Sequence, residues 1–320
     1  MMFMGLDGGG TKVECALVTD QGELVGRTLG GAVNTNFSPV DAVMASFQQV
    51  IRQALHQAGS DGSDVAAVVV GSPTKREVLG EILTRCLPRA QRLCLGEGCL
   101  ALAAGDVMGQ GVSVISGTGS LAYGQSHQGF QVSVGGWGSL LGDEGSGYAI
   151  GVEALRAVCR AADGRIPATG LCECVKAWAG VGRIRELSRV VYGPPMASRT
   201  EIAALARLIS DVAEAGDRVA EGILDTAGRQ LADQAHTVIR RLSLQDVRGL
   251  HVVAAGGVLR NSRFVYQAFS EGLRVFGATA HVHHALVSPA LGAAAIALER
   301  RGFHGERLRL MAAQSGTHQA

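Results

Sequence analysis

The stretch Met4-Gly5-Leu6-Asp7-Gly8-Gly9-Gly10-Thr11-Lys12 constrains the fold more than any other in the chain. An apolar run leads into an acidic residue, three glycines and a hydroxyl, and a second apolar run, Val13 to Val18, follows at once. Two such runs joined by a short glycine turn read as a β-hairpin. Glycines at Gly9 and Gly10 let the backbone approach a ligand closely, and successive N–H groups in that geometry form an anion-binding nest. Thr11 adds a hydroxyl and Lys12 a positive charge. Asp7, at the strand end, is placed to hold a hydrated Mg²⁺ beside a phosphate. An ordinary glycine-rich turn has the same composition, so this reading depends on a partner elsewhere in the chain.

Val112-Ser113-Val114-Ile115-Ser116-Gly117-Thr118-Gly119-Ser120-Leu121-Ala122-Tyr123-Gly124 has the same construction: strand, small-residue turn with hydroxyls, strand. Gly117, Thr118, Gly119 and Ser120 make the second phosphate-gripping turn. Two such hairpins, each opening one half of the chain, suggest a duplicated fold acting on one nucleotide. Neither G-x-x-x-x-G-K-[ST] nor G-x-G-x-x-G occurs, so a P-loop or dinucleotide site has no motif behind it.

A length of 320 residues favours two domains. Apolar content of 47% with 18% charged residues suits globular units with sizeable cores. A net charge of +1 gives no electrostatic case for nucleic acid. No apolar run reaches membrane-spanning length, and Met1-Met2-Phe3-Met4 lacks the basic region of a signal peptide. Seven irregularly spaced cysteines argue for a reducing, cytoplasmic setting rather than a disulfide framework. Cys172 and Cys174 read as small helix residues. His281, His283 and His284 lie on an apparent strand with no Cys or acidic partner nearby, and read as surface residues rather than metal ligands.

Along the chain, strands and helices alternate, which gives an α/β class. Strands are predicted over 23–28, 65–70, 92–95, 132–134, 247–255 and 281–286, and helices over 41–58, 75–87, 99–104, 148–162, 200–215, 217–242 and 288–298. A final helix follows Gly302, and residues 164–198 form a weaker, interrupted helical region. The two long helices after residue 200 show no buried polar motif. In the loop after residue 30, Asn34 and Asn36 suit hydrogen bonding to hydroxyls or amides. Glu97 sits between a strand and a helix, where α/β sites gather, although an acidic residue also favours a helix N-terminus for its own sake. Residues 135–147 hold six glycines, two carboxylates, two serines and a tryptophan. So glycine-rich a loop loses much entropy on folding, which suggests a pocket: Trp137 as its wall, Asp143 or Glu144 binding hydroxyls. The diglycine Gly256-Gly257 lets a flat group such as adenine lie on the backbone.

Taken together, DGGGTK at 7–12, SGTGS at 116–120, GGWGSLLGDEGSGYAIG at 135–151, AAGGV at 254–258 and SPALGAA at 288–294 resemble the N-acetylglucosamine kinase family. This family is of the BadF/BadG/BcrA/BcrD ATPase type, within the actin/hexokinase superfamily. The resemblance runs from Met4 to about Leu298, with GGWG…GDEGS its most specific part. It implies two duplicated actin-like (ribonuclease H-like) domains around an interdomain cleft: residues 1–112, with a C-terminal helix at about 303–318 packed on them, and residues 113–302, with a helical insertion at about 160–245. It implies ATP and Mg²⁺, a small sugar substrate, and a homodimer without nucleic acid or membrane partners. Phosphates fall to residues 7–12 and 116–120, and adenosine to Gly256, Gly257 and Val258. The sugar falls to Asn36, Ser72, Gly136, Trp137, Asp143 and Glu144.

The chain departs from the family over residues 164–198, which do not match well, and at two of these site positions. Where the family has a catalytic aspartate in a stretch like Asn-Asp-Ala, this chain has Gly96-Glu97-Gly98; the base is Glu97, one methylene longer, or it is missing, with Asp143 the competing carboxylate. Where the family has Gly-x-Ala-Gly or Ser-Gly-Gly, the chain reads Gly71-Ser72-Pro73-Thr74, which leaves the choice of sugar open. The leading reading is an ATP-dependent kinase of an amino sugar, N-acetylglucosamine or glucosamine. Its rivals are a nucleotide- and sugar-binding sensor that has lost catalysis and an ATP-coupled activator ATPase.

Overall fold

The computed structural model describes residues 1–275 and 280–315. They form two compact units, one of Met1–Gly109 with His284–Ala320 and one of Gln110–His283. The last three residues of the helix predicted at 303–318 lie outside the described residues.

In the first unit, β1 (Met2–Gly8), β2 (Val13–Thr19) and β3 (Leu24–Gly30) form an antiparallel meander. Helix α1 (Val40–Gln57) follows, then β4 (Val65–Gly71), α2 (Arg76–Cys86), β5 (Gln91–Leu95) and α3 (Glu97–Ala104). The sheet order is β3-β2-β1-β4-β5, with β4 parallel to both β1 and β5. Strand β4 is nearly all apolar because it lies between two parallel neighbours and is buried along almost its whole length. The amphipathic α1 buries Val43, Phe47, Val50 and Ile51. It comes so close to β3 that a Cβ on Gly26 would sit 2.5 Å from the carbonyl oxygen of Ala54.

The second unit repeats this plan. Strands β6 (Gly111–Ser116), β7 (Ser120–Gln125) and β8 (Gln131–Gly135) form its meander. Helices α4 (Gly147–Ala162), α5 (Leu171–Ala179), α6 (Leu187–Tyr192), α7 (Arg199–Glu214) and α8 (Arg218–Arg241) come next. Then follow β9 (Leu250–Ala255), the short α9 (Gly257–Asn261), α10 (Arg263–Val275) and β10 (Ala280–His284). The order β10-β9-β6-β7-β8 matches the first sheet strand for strand, with β9 parallel to β6. Two α/β units of one topology are the duplication that the paired hairpins imply.

Two boundaries differ from the sequence expectation. The insertion predicted over 160–245 includes α8, yet α8 packs on β6, β7 and β8 as α1 packs on β2 and β3. A Cβ on Gly124 of β7 would sit 2.4 Å from Val238 Cγ1. The expected split at 112/113 also assigns residues 289–302 to the second unit. Instead α11 (Pro289–Arg300) belongs to the first, as does α12 (His304–Ser315), the C-terminal helix expected on that unit. Its alanine-rich surface lets α11 lie flush against β1, where a Cβ on Gly5 would be 1.9 Å from the Ala290 carbonyl oxygen. On the other side, Gly292 would meet the Leu100 carbonyl of α3 at 2.6 Å. The α12 helix buries Leu310 and Met311. Among the described residues no helix is long and apolar enough to cross a membrane.

One substitution, made at two glycines, tests this close packing. Gly5→Ala should lower the unfolding free energy by about 1–3 kcal/mol through overpacking. Gly80→Ala, in the interior of α2 with nothing near its Cβ position, should raise it by about 0.5–1 kcal/mol. Equilibrium denaturation of the two variants beside the parent reads both signs; a Gly5→Ala variant as stable as the parent would refute the flush packing.

Candidate active site

Register brings three sequence-predicted residues of the first unit to one sheet edge. Asp7 pairs with Gly71 of β4, and Gly71 with Leu95 of β5. Asp7, Ser72 and Glu97 therefore stand at or just past the carboxyl ends of three adjacent parallel strands, where ligands of α/β sheets bind. The small residues there allow close approach: a Cβ on Gly8 would meet Ser72 Oγ at 2.8 Å, and one on Gly71 would lie 3.5 Å from Glu97 Cα. The turn between β1 and β2 is closed by the Gly9 N–H on the Lys12 carbonyl at 2.8 Å. Gly10 has open space where a Cβ would be. Asn36 is exposed, its N–H donated to Asn34 Oδ1 at 2.9 Å. Its loop is tied to the loop after β4 by the Lys75 N–H on Thr35 Oγ1 at 3.1 Å and by the Thr74 hydroxyl on the Val33 carbonyl.

This edge is crowded with carboxylates. Burial, and then the nearby Glu14 charge, raise Asp7 to a pKa of about 7, with Lys12 partly opposing them. Burial, and then Asp7, raise Glu97 to about 7. Glu14, which pairs with Asp7 in the hairpin register, was not singled out by the sequence. It is buried, and its Oε1 accepts from Arg27 Nε at 2.8 Å and from the Ser288 hydroxyl at 2.7 Å. Ser288 is also the N-cap of α11, accepting the Leu291 N–H.

In the second unit, residues 116–120, 143–147 and 256–258 come together. The Ser116 hydroxyl donates to the Gly145 carbonyl and the Ser120 hydroxyl to the Glu144 carbonyl, each at 2.7 Å. The Gly147 N–H donates to the Gly117 carbonyl at 2.8 Å. From α8, Gln234 Nε2 also donates to the Glu144 carbonyl, at 3.1 Å. Gln234 is buried on a helix whose sequence shows no buried polar motif; one polar residue on an apolar face gives no periodic signal. Gly256, at φ +91°, has its Cβ position 2.2 Å from the Ser116 carbonyl oxygen, whereas that of Gly257 meets only Asn261 Nδ2 at 3.8 Å. Gly117 likewise faces open space. Two glycines that look alike in sequence thus have different tasks: Gly256 fits the backbone crossing and Gly257 leaves room beside it. Val258 is buried, and its Cγ2 would lie 3.4 Å from a Cβ on Gly147.

The 135–147 loop separates its residues sharply. Asp143 is buried at φ +60°. Its Oδ2 accepts from Arg199 Nη2 at 2.9 Å, and its carboxylate is hydrogen-bonded by the backbones of Ser120 and Gly138. It lies beside Gly119, whose Cβ would be 3.0 Å from Oδ2. Burial still outweighs these partners and holds its pKa above the usual carboxylate value. Arg199 also lies over the Tyr148 ring, 5.6 Å from its centroid. In contrast, Trp137 is 74% exposed, Leu140 92% and Leu141 76%, and Glu144 is exposed as well. Their apolar character suggests burial in the sequence; in the structure they project from the loop, and its anchors are Asp143 and the glycines. Gly136, at φ +70°, packs near Leu121.

Two actin-like α/β units with glycine turns at their strand ends are the architecture of the sugar kinases and related ATPases. Residues 4–297 match the BadF/BadG/BcrA/BcrD ATPase family, and the chain belongs to it. The chain is 30% identical over 277 residues to the N-acetylmuramic acid/N-acetylglucosamine kinase of Clostridium acetobutylicum, covering 85% of this chain and 90% of that one. It is 27% identical over 314 residues to the N-acetyl-D-glucosamine kinase of Dictyostelium discoideum, covering 94% and 98%. A Chromobacterium violaceum crystal structure assigned as an N-acetylglucosamine kinase shares the fold, with a TM-score of 0.74 at 24% identity over 93% and 98% of the two chains.

Arg199→Met tests the anchor of the loop. Leaving a buried charged acceptor without its partner costs about 1–3 kcal/mol or more, so the variant should melt well below the parent at pH 8. Protonation of Asp143 removes that penalty, so the deficit should shrink as pH falls into the acid range. A deficit independent of pH would mean that Arg199 acts through packing alone.

Proposed function

We propose that this chain transfers the γ-phosphoryl group of ATP to a hydroxyl of an amino sugar, N-acetylglucosamine or glucosamine, with Glu97 as the general base. The class is that of an ATP-dependent carbohydrate kinase. The observation that carries the assignment of the base is Glu97 itself: a carboxyl poised at about pH 7, at the strand-end edge beside Asp7 and Ser72. A base works best with a pKa near the operating pH. Asp143 is a weaker candidate, because its carboxylate is engaged by Arg199 and by backbone groups of Ser120 and Gly138.

In this reading the sugar hydroxyl gives its proton to the Glu97 carboxylate as its oxygen attacks the γ-phosphorus, and ADP departs. Such transfers rest on positioning and charge stabilisation. Gly9, Gly10, Thr11 and Lys12 of the first unit, and Gly117, Thr118, Gly119 and Ser120 of the second, take the phosphates. Gly256, Gly257 and Val258 take the adenosine, with Gly257 offering the open surface. Asn36, Ser72, Gly136, Trp137, Asp143 and Glu144 take the sugar. The exposed face of Trp137 suits stacking on a sugar ring, and Asp143 holds the loop that presents it.

The carboxylates at the end of β1 fit a hydrated Mg²⁺. Asp7 is hard to ionise there because of burial and Glu14, a penalty that a nearby cation relieves, and oxygen donors suit this hard ion. Asp7 would hold it through water, and the ion would supply neutralisation of phosphate charge. The seven free cysteines agree with a cytoplasmic protein, and the family resemblance points to a homodimer.

ADP release measured against a panel of sugars tests the activity. Sugar-stimulated turnover supports the kinase, binding without turnover the sensor, and sugar-independent hydrolysis the activator. Glu97→Gln should keep ATP binding and lose about 10²–10⁴-fold in turnover. In the parent, kcat/KM should fall as pH drops below about 7, where Glu97 takes up a proton, and Glu97→Gln should lack this limb. If Glu97→Gln turns over like the parent while Asp143→Asn is inactive, the base is Asp143.

The adenosine assignment has its own test. Gly257→Val should weaken ATP binding in calorimetry while leaving the melting temperature near that of the parent. Gly256→Val should unfold the turn instead, since it forces a side chain into the Ser116 carbonyl. Unchanged affinity in a folded Gly257→Val removes residues 256–258 from the nucleotide site.

A further inference from the structure

The sequence shows histidines at 281 and 283 on one strand, but not the one that faces them. In the fold, β10 is an edge strand beside β9. Side chains two apart on a strand point to the same face, so His281 and His283 share one, and His251 of β9 stands next to them. The three ring centroids are 5.3–5.5 Å apart pairwise. His251 Nδ1 and His283 Nε2 are 3.2 Å apart, and one nitrogen from each of the three rings lies within 4.8 Å of the others.

We propose that His251, His281 and His283 bind one divalent transition-metal ion of the zinc class, clipping edge strand β10 to β9. Tetrahedral zinc with Zn–N bonds of about 2.0–2.1 Å places its nitrogens roughly 3.3 Å apart, and the His251–His283 pair already has that spacing. The His281 nitrogen, no more than 4.8 Å from the other two, closes the remaining distance on binding. Three imidazoles suit Zn²⁺, Ni²⁺, Cu²⁺ or Co²⁺, whereas Mg²⁺ prefers oxygen donors. His251 and His281 are exposed and His283 is partly so, so the ion has an entry path, and water completes its coordination. The site is formed wholly within the second unit by two neighbouring strands. It shares no residue with the phosphoryl-transfer groups, and its binding of metal does not depend on the kinase reading.

The reading that these histidines are plain surface residues rests on the lack of a Cys or acidic partner in the nearby sequence. The third ligand is instead another histidine, supplied by strand pairing from 30 positions before His281.

The test uses the full, tag-free chain stripped with chelator and titrated with Co²⁺. One equivalent should bind with the intense visible bands of a low-symmetry, four-coordinate ion. Zn²⁺ should displace it, and millimolar Mg²⁺ should not. Saturating Zn²⁺ should also raise the melting temperature, since an ion that binds only the folded state stabilises it. His251→Gln and His281→Gln should each weaken binding by more than the ~10–100-fold lost with an outer-shell partner. His284→Gln, which alters the opposite face of β10, should bind like the parent. Circular dichroism would confirm that the variants, all at partly or fully exposed positions, stay folded. Absence of saturable binding in the parent, or His251→Gln binding as tightly as the parent, would overturn the proposal.

Discussion

Asp7 stands where a carboxylate is hardest to ionise: at the end of central strand β1, in register with an acidic neighbour on β2. Much of the first unit manages that charge. Glu14 would repel Asp7 more strongly if it were not itself held by Arg27 and the Ser288 hydroxyl. Ser288 reaches Glu14 only because α11 begins beside β2, and α11 lies there because Gly5 leaves room for the Ala290 backbone. A missing side chain on β1 thus makes room for a helix whose cap hydrogen-bonds a carboxylate, whose neighbour Asp7 in turn adds to the burial that raises the pKa of Glu97. This dependence explains why a helix almost 290 residues along the chain belongs to the unit that opens it.

The second unit uses the same topology without the charge. Its first strand also ends at a glycine turn, but Ser116 stands there, register-paired with Ser120. Both hydroxyls are used inward, on the carbonyls of Gly145 and Glu144. The turn, the long glycine loop and the start of α4 are therefore one hydrogen-bonded body. The ion pair of buried Asp143 with half-buried Arg199 fastens the loop to α7. The strand-end edge of the first unit is thus marked by raised carboxyl pKa values, and that of the second by backbone carbonyls held by serine hydroxyls.

Much of this was legible in the sequence because it is periodic or punctuated. The two hairpins, the apolar β4 and the amphipathic α1 announce themselves through alternation, helical spacing and turn residues. Helix α10 escapes this reading despite its strong apolar face, which packs on α8 so closely that Gly228 has no room for a Cβ. What the sequence cannot show is pairing across distance. Arg199 meets Asp143 from 56 positions away, Gln234 meets the same loop from α8, and His251 meets His283 through a strand pairing. Exposure is equally hidden: Trp137, Leu140 and Leu141 have the composition of a core segment, yet the glycines around them turn them outward.

The acidity of Glu97 separates two accounts of why a carboxylate occupies the first turn of α3. If it served only to complement the helix terminus, its negative charge would be stabilised by about 0.3–1 kcal/mol, which lowers a pKa by less than one unit. The pKa instead rises from 4.5 to about 7, so burial and the Asp7 charge overwhelm the helix terminus. The first turn of α3 lies close against β4, where a Cβ on Gly71 would sit 2.7 Å from Leu100 Cδ2 and 3.5 Å from Glu97 Cα. A group held in an unfavourable place for its charge, at the strand-end edge beside Asp7, is of the kind that gathers at functional sites, and the role proposed for Glu97 draws on that raised pKa.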